Sequence, residues 1–146
     1  MTKMVDVSGK LMQRRKAVAE GRLKLKASTV KEIRAGRIKK GDVLTVSQVA
    51  GIQAAKGTSG IIPLCHQIPL SSVDVQFKLI KDTVIARTTV ITNSVTGVEM
   101  EALIGTTVAL LSVWDMVKYL EKDEEGQYPV ATICDVKVIE KCKEEV

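Results

Sequence analysis

The spacing of apolar positions changes period along the chain, and each change marks an element. In "VDVQFKLI", Val73, Val75, Phe77 and Leu79 alternate with Asp74, Gln76 and Lys78. A repeat of two predicts a half-buried strand, because successive side chains leave a strand on opposite faces. "TVIARTTVIT", Thr83 to Thr92, predicts a second strand. The intervening "IKDT" is short enough for a turn, so the two form an antiparallel hairpin. Arg22 to Lys26 alternate basic and apolar residues, which predicts a half-exposed strand. "ATICDVKVIEKC", after a turn at Gly126–Pro129, predicts a closing strand. "KLMQRRKAVAEG" shows no clear period and reads as a helical turn or irregular chain.

Three stretches carry helix signals. Thr29 and Glu32 have the spacing of a capping box and open a short helix ending near Gly36. "KKGD" is a turn whose Asp42 can cap "VLTVSQVAGIQAAK", and Gly57 closes that helix. Helical spacing predicts that Val43, Val46, Val49 and Ala50 are buried. From Gly97 a long helix runs through "GVEMEALIGTTVALLSVWDMVKYLEKD", with Thr96 as its N-cap. Its ~23 residues span about 35 Å. Residues 1–9 are polar and predict a loosely held arm. The mixture predicts an α+β fold, an antiparallel sheet with helices packed on one face (a ferredoxin-like sandwich). No linker or repeat divides the chain, so residues 1–146 read as a single domain.

Composition narrows the function. Aromatic residues are 3% against 45% hydrophobic, so the core is aliphatic. The N-terminus has no apolar signal segment and no continuous apolar run approaches a membrane span, which predicts a cytoplasmic protein without membrane contact. Cys65, Cys134 and Cys142 are widely spaced, and with one histidine they predict neither disulfides nor a metal site. The net charge of +5 suits an anionic partner, either nucleic acid or a small polyanion. Only Phe77, Trp114, Tyr119 and Tyr128 are aromatic, which leaves a single-strand binder without stacking platforms.

Several residues are candidates for chemistry. His66, the only imidazole, follows Cys65 in "GIIPLCHQIPL" between Pro63 and Pro69. Prolines stiffen the loop and keep the ring oriented for binding, although a satisfied interior histidine fits the same pattern. Asp115 and Lys118 interrupt the most apolar part of the long helix at i, i+3. If that part is buried, the pair can exchange protons with a ligand; if not, it is an ordinary surface ion pair. The first turn of the helix, with Glu99 and Glu101, offers free N–H groups to an anion. Glu101 and Asp115 lie about 21 Å apart along the axis, so one small ligand in one copy cannot easily touch both. Lys40 at "KKGD", Lys56 at a helix C-terminus and the cluster Arg14-Arg15-Lys16 are the cationic candidates. The cluster falls in a stretch that reads as flexible, and Lys56 also fits a dipole role.

"MVDVSGK" (4–10), "KKGDVL" and "AGIQAAK" (39–56), "IPLCHQIPL" (62–70), "TGVEMEAL" (96–103) and "WDMVKYLEKD" (114–123) together resemble the MoaC-type cyclic pyranopterin monophosphate synthases of molybdenum cofactor biosynthesis. The resemblance implies a lyase that converts 3′,8-cyclo-7,8-dihydro-GTP into cyclic pyranopterin monophosphate and releases pyrophosphate. It implies catalytic roles for Asp115 and Lys118. Substrate contacts fall on Leu64, Cys65, His66, Met100 and Glu101, and basic contacts on Lys40, Lys56 and Arg15. No cofactor and no metal are implied. A homo-hexamer, a trimer of dimers with sites between subunits, is implied as well.

The chain departs from the family pattern in three places. Gln67 stands where many relatives have proline, and Ser94-Val95-Thr96-Gly97 replaces Gly-Lys-Thr-Gly. The C-terminal Gly-Gly-Lys-Ser-Gly loop of bacterial relatives is absent. Two other classes compete. A small basic RNA-binding protein predicts steep salt dependence and no turnover. A catalytically dead subunit of the same fold has no need for both Asp115 and Lys118.

Overall fold

A computed structural model describes residues 1–144. The elements run β1 (Gln13–Lys24), α1 (Ala27–Arg34), α2 (Val43–Lys56), a 3-10 turn (Thr58–Gly60), β2 (Ser72–Ile80), β3 (Thr83–Ser94), α3 (Glu99–Glu121) and β4 (Thr132–Glu144). The four strands form one antiparallel sheet in the order β2-β3-β1-β4. This is the split βαβ arrangement, with α2 and α3 packed side by side on one face. The predicted α+β class holds.

The hairpin forms as its alternation predicts, with Val73 opposite Val90 and Leu79 opposite Val84. β1 is the main correction. The whole stretch Gln13–Lys24 is the central strand, paired on both edges, and not a helical turn. Its inward positions are Ala17, Ala19, Gly21 and Leu23, and Val18 on the opposite face is buried too. A strand buried on both faces by small residues shows no alternation. Arg15 therefore sits on a rigid strand and not in a flexible region.

Gly21 explains how close α3 lies. A Cβ there would come within 2.9 Å of Val136 Cγ2 and 3.0 Å of Thr106 Cγ2. α2 and α3 touch as closely: a Cβ on Gly51 would stand 2.9 Å from the Gly105 carbonyl oxygen. That contact selects the buried stripe of α2, which is Val43, Ser47, Gly51 and Ala55. Val46 and Val49 are about half exposed, contrary to expectation. The seam turns the small residues inward and leaves the valines outside.

Asp42 caps α2 as predicted, accepting from the Thr45 amide at 3.1 Å. The Thr29–Glu32 box does not form. Thr29 donates instead to Glu121 on α3, whose buried carboxylate also accepts from the Lys26 amide at 3.1 Å. Glu32 pairs with Arg37 at 2.9 Å. A carboxylate from a distant helix thus binds the Lys26 amide just before α1 and engages the Thr29 hydroxyl that a local cap would have used. α3 starts at Glu99 with Val98 as its cap position, so Thr96 is not the N-cap.

Length and composition would let α3 cross a membrane. The charges along it hide this from a search for unbroken apolar runs. Half of that span is buried on the sheet and on α2, which accounts for its apolarity.

Candidate active site

The predicted site residues separate into two groups at opposite ends of the α2–α3 pair. The helices run antiparallel, as the Ser47–Ser112 hydroxyl bond and the Gly51–Gly105 contact show. The start of α2 therefore meets the end of α3, and the end of α2 meets its start.

At the first end, Lys40 and Lys118 share Asp115. Lys40 Nζ stands 3.0 Å from Asp115 Oδ2 and Lys118 Nζ 3.1 Å from Oδ1. Lys40 also donates to the Asp115 carbonyl at 3.3 Å. Lys40 arrives here because Asp42 starts α2 directly after the "KKGD" turn. Hydrogen bonds from Lys40 and then Lys118 hold Asp115 below the usual carboxylate range, and Asp115 in turn raises Lys118. Leu111 and Trp114 join Asp115 and Lys118 in lining an open cavity of about 310 Å³. The Asp115 and Lys118 side chains are 57% and 44% exposed. The expected dry environment is thus not provided by this chain alone, because α3 turns this stripe away from the sheet.

At the other end, Leu64, Cys65, His66, Thr96, Gly97 and Met100 line a second cavity, also about 310 Å³. The proline-bracketed loop has no regular structure, as expected. His66 does not turn into the core: its Nε2 lies 2.6 Å from the Val5 carbonyl. The N-terminal arm, otherwise without regular structure, is tethered there. Leu64 and Met100 are exposed, Cys65 half-buried, and Glu101 buried. The Cys65 thiol points to Glu101 Oε2 at 3.8 Å. Burial pushes both Glu101 and Cys65 up from their ordinary values. A thiol so raised stays protonated, which agrees with a contact role and not a nucleophilic one. Lys56 is exposed in the last turn of α2 at this end.

Arg15 belongs to neither cavity but to the same end of the sheet. It is buried, and its Nε donates to the Ser94 carbonyl at 3.1 Å, just before the chain enters α3. With Lys141, Cys142 and Lys143 it lines a small cavity of about 220 Å³. Lys141 was not singled out in the sequence. Its Nζ lies 3.2 Å from Glu99 Oε1, an ion pair without hydrogen-bond alignment. The signal was weak, since Lys141 sits in a strand of alternating charges. Among the described residues, no cluster of His, Cys, Asp and Glu has the makings of a metal site.

Residues 4–143 match the MoaC family. The chain belongs to the MoaC family. Among its relatives, a probable cyclic pyranopterin monophosphate synthase of Pyrococcus furiosus is 54% identical over 98% of this chain and 92% of its own length. One of Saccharolobus solfataricus is 52% identical over 97% and 95%. A protein of Methanothermobacter thermautotrophicus, named as a probable accessory protein of that synthase, is 51% identical over 99% and 91%. The stretches that carry the MoaC resemblance fall on both clusters, "KKGD" and "WDMVK" on the first, "LCHQ" and "VEME" on the second.

Proposed function

We propose that this chain converts 3′,8-cyclo-7,8-dihydro-GTP into cyclic pyranopterin monophosphate with release of pyrophosphate, an early step of molybdenum cofactor biosynthesis in the cytoplasm. Family membership supports the assignment, and the observation that carries it is the meeting of Lys40, Asp115 and Lys118. Closing a cyclic phosphate requires a hydroxyl to attack the α-phosphorus while pyrophosphate departs. The leaving group develops charge, which fixed cations stabilise. Rearranging the ring moves protons on and off carbon and nitrogen, work for a carboxylate and an ammonium in contact. Asp115 takes the base role and Lys118 the acid role, matching the charge states their pairing favours.

In the resting chain each partner stabilises the charged form of the other, so Asp115 is a weak base and Lys118 a weak acid. Excluding water changes that balance, because desolvation disfavours both charges. A second copy supplies the cover in this reading. Glu101 and Asp115 lie about 21 Å apart along α3, and Leu111, Val46 and Val49 leave an apolar rim on the outer side of α2 and α3. A homo-hexamer, a trimer of dimers, then completes each site with Cys65, His66 and Glu101 from a neighbour. Lys141 and Arg15 replace the cation missing at Val95 in holding the triphosphate.

The RNA-binding alternative loses its ground, since a polyanionic nucleotide accounts for the basic surplus. Incubating the protein with the cyclised nucleotide tests the reading. Pyrophosphate and the cyclic phosphate product are expected in equal amounts. Binding without turnover would overturn it and favour the dead-subunit class.

A further inference from the structure

Asp115, Lys118 and Tyr119 stand at i, i+3 and i+4 on α3, so they share one face of the helix. The turn before α2 is fixed to that face at two points. One is the Lys40 ammonium, 3.0 Å from Asp115 Oδ2. The other is the Lys39 amide, which donates to the Tyr119 hydroxyl at 3.0 Å. The Lys39 ammonium also lies over the Tyr119 ring, 5.1 Å from its centre. The tyrosine is half-buried and packs against the main core, so its hydroxyl has a fixed place. The turn is less constrained. Lys39 and Lys40 are exposed, and Gly41 follows them with a φ of 118°. The buried Ile38 side chain holds the chain before the turn, and Asp42 holds it afterwards by capping α2. Between these two anchors, the Tyr119 hydroxyl fixes the peptide plane that leads into Lys40.

We propose that Tyr119 is a positioning residue: by holding the Lys39 amide, its hydroxyl sets where the Lys40 ammonium meets Asp115. Lysine reaches its partner through a flexible four-carbon stem, and an exposed ion pair of that kind is held only weakly. Fixing the backbone at the base of the stem reduces the positions its head can take. Phenylalanine at 119 would keep the ring and its packing but leave the amide to water. The turn would then swing on Gly41, and the ammonium would spend less time on Asp115. The charged groups that bear on Asp115 are Lys40 from the turn and Lys118 on its own helix. Tyr128 acts on Lys118 from the stretch before β4, and Lys39 is turned onto the Tyr119 ring. Lys40 is the first cause of the low Asp115 value, so loosening it raises that value. That Lys40 bears on turnover rests on the nucleotide reading above; that Tyr119 sets Lys40 on Asp115 does not.

Tyr119→Phe in the full-length protein, alone and combined with Lys40→Met, tests this. Alone, it is expected to lower kcat/KM about three- to tenfold, the usual scale of one hydrogen bond. It is also expected to move the acid limb of the profile upward, by less than Lys40→Met does. Added to Lys40→Met it should change neither quantity, because both substitutions act through one contact. An equal loss in the two backgrounds, or an unmoved limb, would overturn the proposal. A titration that needs no turnover gives a second readout. Carbon NMR of the aspartate carboxyls, with Asp115→Asn to assign the signal, should show Asp115 titrating at higher pH in Tyr119→Phe than in the parent. Lys40→Met and the double variant should titrate alike. Coincident curves for the parent and Tyr119→Phe would sink the idea. The parent alone supplies a third readout: its Lys39 amide is expected to exchange more slowly than an unstructured amide. Free exchange there would show that the hydroxyl does not hold it, whether or not the variants fold. If the parent releases no pyrophosphate, the functional reading falls, and the carboxyl titration and amide exchange still decide this one.

Discussion

Lys40 Nζ and Asp115 Oδ2 stand 3.0 Å apart although 75 positions separate them in the chain. The contact exists because α2 and α3 run antiparallel, which sets the turn before α2 against the last turns of α3. It converts an i, i+3 ion pair into a three-member cluster whose carboxylate is flanked by two ammonium groups.

Asp115→Asn and Lys118→Met are each expected to lower product formation by at least about 100-fold, the usual scale for losing a positioned acid or base. Both side chains are largely exposed, so the variants should melt within a few degrees of the parent. Mass spectrometry of the product, alongside thermal melts, checks both halves. Near-normal yield from both variants would remove the mechanism.

Lys40→Met should move the pH profile in a defined direction. Lys40 is the first cause of the low Asp115 value, so its removal raises that value. A base with a raised value is protonated at higher pH, and the acid limb of kcat/KM shifts upward. The profile through and below the ordinary carboxylate range decides; an unmoved limb there would show that Asp115 is not the titrating base.

His66→Ala and Lys56→Ala should raise KM more than they lower kcat, because both are placed to bind rather than to react. For His66 the released Val5 carbonyl adds a second signature, faster amide exchange across the N-terminal arm. Steady-state kinetics and hydrogen exchange on the same preparations test the pair of outcomes.

Glu121→Ala is expected to cost about 2–4 kcal/mol, since it leaves buried donors unpaired and opens a void. The donors are the Lys26 amide and the Thr29 hydroxyl at the start of α1. Urea unfolding measures the loss, and a change under about 1 kcal/mol would mean the cap is replaced by water.

Gly51→Val should cost about 1–3 kcal/mol by overpacking. Its Cβ would press on the Gly105 carbonyl, backbone that cannot swing aside. An unchanged midpoint in denaturant would show that the helix pair slides apart freely.

The hairpin and Asp42 were legible because their signals are local: a period of two in Val73 to Leu79, and an acceptor three residues before the amide it caps. β1 was not, because Ala17, Val18 and Ala19 are buried on both faces and erase the alternation. Val46 and Val49 stay half exposed for a related reason. Hydrophobicity ranks valine above glycine and serine, but close helix contact selects for smallness. Thr29 looked like a local cap until Glu121 reached it from across the fold.

From its own order of residues, this chain determined its strand pair, helix count, family and the list of groups able to hold a nucleotide and move its protons. Those are local patterns or chain-order motifs, readable without coordinates. Only the tertiary structure decided that Lys40 joins Asp115 while Glu101 withdraws from water, that Lys141 meets Glu99, and that the two halves of the site lie at opposite ends of the helix pair. Such relations depend on which helix faces touch and at what distance, and close packing of glycine against glycine sets both.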